Sequence, residues 1–170
     1  MTQLRPQDIF FLLALVANRD ESGWTYDHLA EKLGMSASQV FRSASRAEAS
    51  HLFDKDSRRV RRLELKEFIS HGIRYAFPIT PGGIQRGIPT CWRAPGLNEK
   101  ITVNKDEPYI WPTPTGTSRG QTIEPLHSGV LKATADNDEL HQLLALTDVM
   151  RVGSARERGV ASKELEKALM

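Results

Sequence analysis

The chain has 170 residues, 39% of them apolar and 26% charged, enough for one ordinary domain, or a small domain with an appendage. A formal net charge of +2 is too small to indicate nucleic acid by itself, and the longest apolar run, Ile9 to Ala17, is far short of the roughly 20 residues that span a bilayer. The single cysteine, Cys91, excludes an internal disulfide and a multi-cysteine zinc site, and no basic N-terminal stretch precedes a small-residue cleavage site, so a cytoplasmic location is expected.

Residues 1–75 carry mostly helical patterns. Pro6 suits a first helical turn, where its missing N–H is no loss, and Ile9, Leu12, Leu13 and Val16 recur at helical spacing. Asn18 to Gly23 reads as a turn. Thr25 then caps a second helix whose inner face is Leu29, Ala30 and Leu33 and whose stop is Gly34. Ser36 and Gln39 form a capping box that opens a third helix at once. Val40, Ala44 and Ala47 point inward, which leaves Gln39, Arg42 and Arg46 on other faces. Two helices joined by a glycine, the second opened by a small polar cap, have the spacing of a helix-turn-helix. Leu52-Phe53, the polar turn Asp54 to Ser57, and Arg59 to Arg61 read as a short hairpin, or wing. Leu65, Phe68 and Ile69 predict a fourth helix that ends near Gly72.

Residues 76–129 hold eight of the nine prolines, which exclude long helices. A solvated linker would lack Phe77, Ile79, Trp92, Ile101, Val103, Tyr109, Ile110 and Trp111, so an ordered, loop-rich segment with short strands is expected to pack on the helices. In residues 130–170, Leu140, Leu143, Leu144 and Val149 mark an amphipathic helix ended by Gly153. Ser154 and Glu157 make a second capping box, before a helix bearing Val160, Leu165 and Leu169. The expected C-terminal unit is a helical hairpin for packing, dimerisation or partner binding. The expected fold class is mainly α with short strands, α+β.

The distribution of charge is more telling than its sum. From Ser36 to Lys66, eight Lys/Arg stand against four acids, a local excess of four positive charges beside the third helix. A major groove admits one helix and is read there by base-edge hydrogen bonds. Ser36, Ser38, Gln39, Arg42, Ser43 and Arg46 are of suitable type, since Arg grips guanine at two points and Gln does the same to adenine. Lys55, Arg58, Arg59, Arg61 and Arg62 near the hairpin suit phosphates or a minor groove. Catalytic signals are weak by comparison. The five histidines lack metal-ligand spacing, Cys91 has no local motif, and "PGGIQRGIPT" lacks the Lys-Ser/Thr ending of a phosphate loop. Asp136 and Asp138 fall at a helix start, where acids favour the dipole. Neither an active site nor a cofactor is expected.

The stretch "LAEKLGMSASQVFRSASRAEASHLF" resembles the winged helix-turn-helix regulators of bacteria, including the MarR-like branch. The resemblance implies recognition-helix roles for Ser36, Ser38, Gln39, Arg42, Ser43 and Arg46, and wing roles for Lys55, Arg58 and Arg59. MarR proteins wrap this domain in long dimerisation helices. Here a Pro-rich segment follows the domain instead, so the family's dimer geometry and ligand pocket do not carry over. The expected function is sequence-specific binding of double-stranded DNA by a homodimeric transcription regulator that is not an enzyme. The alternative is an antitoxin or adaptor whose Pro-rich middle and C-terminal helices hold a partner protein encoded nearby.

Overall fold

The computed structural model describes residues 3–18, 23–101 and 108–170. Most of the expected turn from Asn18 to Gly23, and Val103, lie outside them. The described residues form a mixed α+β fold. The elements are α1 (Pro6–Ala17), α2 (Tyr26–Leu33), α3 (Ala37–Ala49), β1 (Phe53–Asp54), β2 (Arg59–Val60), α4 (Arg62–His71), α5 (Ile73–Ala76), β3 (Ile84–Pro89), β4 (Tyr109–Pro112), β5 (Ser118–Thr122), α6 (Val130–Thr134), α7 (Asp138–Val152) and α8 (Ala155–Leu169).

The helix ends follow local chemistry. Pro6 opens α1. The Thr25 hydroxyl accepts the His28 N–H, and Gly34 closes α2 at φ 63°, a left-handed conformation that glycine adopts without steric penalty. Ser36 and Gln39 cap α3 reciprocally, as Ser154 and Glu157 cap α8. The end of α3 is less usual. His51 takes φ 62° so that its N–H and that of Leu52 return to Glu48 and Ala47, a Schellman ending with histidine in the glycine position. The hairpin is shorter than expected, because Arg61 already serves as N-cap of α4.

α1 is apolar on nearly every side and is the central helix. Ile9 to Ala14 and Val16 are all buried. α3 and α7 both pack against it. The Pro-rich segment holds a three-stranded closed barrel, in which β3 runs antiparallel to both β4 and β5, and β4 and β5 pair in parallel. Gly87 pairs with Pro112 on one side and Ser118 on the other. A Cβ at Gly87 would strike the Trp111 carbonyl, so glycine there allows the strands to close. A 3₁₀ turn, Cys91–Arg93, leads out of β3 and packs on α7.

One continuous apolar cluster joins α1 to α4, the barrel's Trp111, α7 and α8. The expected C-terminal stripe is part of it: Leu140, Leu143, Leu144 and Val149 are each at most 2% exposed within a single chain. α6, which no periodicity announced, braces the α2–α3 turn. Lys132 donates to the Glu31 carbonyl at 2.7 Å, and Gly129, just before α6, lies so close to the Leu33 carbonyl that a side chain would not fit. No helix among the described residues is long and apolar enough to cross a membrane.

Candidate nucleic-acid interface

α3 has a polar and a packed side. Val40, Ala44 and Ala47 point inward as expected. Ser38, Phe41, Arg42 and Glu48 are exposed, and Ser45 is half-buried beside them, which traces a stripe at helical spacing along the outer face. Ser36 is exposed at the cap, and Gln39 is half-buried, its side-chain oxygen accepting the Ser36 N–H at 2.8 Å.

Two expected groove residues need correction. Ser43 is fully buried, and Arg46 is 8% exposed. The Arg46 guanidinium turns inward to Asp8 of α1, with Nε at 2.9 Å from Oδ2 and Nη2 at 2.8 Å from Oδ1, a two-point ion pair. The Ser43 hydroxyl accepts from the same guanidinium at 3.4 Å. The inward face of α3 is broader than its apolar residues suggest, because a buried carboxylate opposite it gives an arginine a place there. Asp8 also accepts the Arg5 N–H at 2.8 Å, so one carboxylate caps α1 and holds α3 on it.

The basic residues near the hairpin divide by partner. Lys55 donates to Ser45 Oγ at 3.2 Å, and its ammonium lies 4.4 Å from the centre of the Phe41 ring. Arg58, at φ 57°, donates to the Trp24 carbonyl at 2.6 Å and lies over the Trp24 and Tyr26 rings at 5.1 and 5.2 Å. It straps the hairpin tip to the start of α2. Arg62 is drawn the other way, donating to the Leu169 carbonyl at the end of α8 at 3.3 Å. Arg61 is exposed, with its charge near Asp54. Main-chain and side-chain hydrogen bonds from Ser57 hold the Asp54 carboxyl below its usual value, helped by the Asp56 N–H and by Arg61. Arg42 and Arg59 are exposed, and among the described residues no hydrogen bond or ion pair holds either guanidinium.

Sequence reasoning missed Phe41 and Ser45 on the outer face. The signal was present for Phe41, which is an apolar residue off the stripe of Val40, Ala44 and Ala47. No family model matches the chain, and no curated protein or solved structure does either.

Proposed function

We propose that the chain is a sequence-specific DNA-binding transcription regulator, with residues 1–75 a winged helix-turn-helix, α3 lying in the major groove and β1–β2 acting as the wing. The observation that carries this reading is the asymmetry of α3. Its inner side is fixed by a buried two-point ion pair, while Ser38 and Arg42 are exposed on its outer side, and Arg59 and Arg61 are exposed at the hairpin that follows it. Arg42 supplies two-point recognition of guanine, and the two arginines near the wing supply phosphate contacts. Lys55, bonded to Ser45 and lying over the Phe41 ring, ties the hairpin to α3. A single such helix covers a short half-site, so the active form is taken to be a homodimer on a two-fold site. The pairing surface then lies outside the stripe of α7, which the chain itself covers.

Anisotropy titrations on a duplex selected by the protein from a random pool, and on a scrambled duplex, test the reading. Arg42→Ala should lose about 1–3 kcal/mol on the selected duplex and much less on the scrambled one. Arg59→Ala should reduce the slope of log affinity against log salt by about 0.9 on both. Equal affinity for both duplexes before any substitution would sink the proposal of sequence specificity.

A further inference from the structure

Phe41 is 49% exposed in the middle of a helix face whose other members are polar or small. Half of a phenyl ring in water is unfavourable, and a polar residue would suit a merely solvated face better. The ring is also held in place. Tyr26 meets it edge-on with ring centres 5.5 Å apart, and the Lys55 ammonium sits 4.4 Å from its centre while bonded to Ser45. These neighbours come from two other parts of the chain, α2 and the hairpin. They steady the ring without covering it.

A base pair offers one apolar group in the major groove, the 5-methyl of thymine, and an aromatic or small apolar side chain is its natural contact. We infer that Phe41 packs on the 5-methyl group of a thymine, beside the base pair that Arg42 contacts, and so makes this chain prefer a thymine at that place. The inference rests on the proposed DNA reading and adds a residue and a base to it. The two neighbours on α3 then have separate roles. Arg42 selects by hydrogen bonds, and Phe41 selects by the exclusion of water from a methyl group.

The test uses the full chain and a duplex that it has selected from a random pool. Each thymine in turn is replaced by deoxyuridine, which removes the methyl and leaves base pairing and every hydrogen-bonding group unchanged. Affinity should fall about fourfold at one position, the worth of one buried methyl group, and stay level at the others. In Phe41→Ala that position should lose its sensitivity. In Phe41→Leu, which keeps an apolar contact, part of it should remain, and this guards against a variant weakened only by loss of the ring's own packing. Uniform indifference to deoxyuridine would overturn the inference while leaving the DNA reading intact, as would a methyl effect that persists undiminished in Phe41→Ala. Failure to select any duplex would remove the DNA reading itself, and this inference with it.

Discussion

Asp8 and Asp148 are buried near opposite ends of the sequence, and their carboxylates are satisfied in different ways. Asp8 on α1 faces a guanidinium at two points and is fully buried. Asp148 on α7, 2% exposed, meets mainly neutral donors: Thr90 Oγ1 and Trp111 Nε1 both donate to its Oδ2 at 2.8 Å. Its cation, Arg151, touches the other oxygen through one nitrogen at 3.2 Å and also donates to the Phe77 and Glu124 carbonyls. Burial pushes the Asp148 carboxyl up, against the pull of Arg151 and the two neutral donors. The first site is a charge clamp between two helices. The second is a hydrogen-bond hub that ties the barrel to α7. A clamp depends on both charges, whereas a hub depends on an acceptor being in the right place.

The largest effect is expected at the clamp. Removing one partner leaves the other charged and buried, so Asp8→Ala or Arg46→Ala should each lose about 3–5 kcal/mol of stability. Replacing both at once, with Asp8→Leu and Arg46→Met, should lose much less than either single change, because no lone charge remains. Urea unfolding of the four chains measures this. A double variant as unstable as the singles would mean that shape, and not charge, joins α1 to α3.

At the hub the ranking differs, because Arg151 keeps the Phe77 and Glu124 carbonyls when its carboxylate is lost. Asp148→Asn keeps an oxygen that can accept from Thr90 and Trp111, and should lose about 1 kcal/mol; Asp148→Ala leaves both donors unsatisfied and should lose about 3 kcal/mol. At Asp8 the asparagine and alanine variants should lie close together, because an amide cannot neutralise Arg46. The gap between Asn and Ala at each site, read from chemical unfolding, is therefore the sharpest form of the comparison. Equal gaps at positions 8 and 148 would erase the distinction.

The helix caps were legible because their chemistry is local. Ser36–Gln39, Ser154–Glu157 and Gly34 each act within three or four residues, and each stands where the pattern put it. Arg46 was misplaced because its partner is 38 residues away in sequence and no local spacing reveals it. The clue in the sequence was Asp8, an acid set directly against the apolar run that starts at Ile9. The middle segment was legible as ordered but not as a barrel. Its closure needs residues 84–89 to pair with two later strands, and only the close approaches at Gly87, Gly116 and Gly120 hint at this. On α3 the placement of Arg42 off the inward face followed from periodicity, whereas Phe41 was passed over because an aromatic residue is expected inside.

The smallest expected effect is a pH dependence that distinguishes the two regions by their histidines. His141 lies beside the hub, with its Nε2 2.8 Å from the Pro89 carbonyl and its ring 5.0 Å from that of Trp111. Burial holds its pKa below the usual 6.5, against the opposing pull of the Pro89 carbonyl, Asp138 and Asp148. His127 stacks on Phe10 of α1 at 5.8 Å and is also lowered by burial. For both, the unfolded chain takes up a proton near pH 6.5 and the folded chain only at lower pH. Their contribution is complete above about pH 6.5 and is lost as pH falls through the folded values. Asp148 has the opposite sign. Its folded value lies above the unfolded 3.8, so its contribution is present below that value and fades as pH rises through the folded one. The histidines should therefore lower the thermal midpoint on acidification below about pH 6.5, with Asp148 opposing them, and His141→Gln, which keeps a donor for Pro89, should remove part of the histidine share. The near-ultraviolet signal of Trp111 should follow His141 and not His127. If His141→Gln leaves the acid slope unchanged, the hub is insensitive to protonation in this range, and the difference between clamp and hub rests on hydrogen bonding alone.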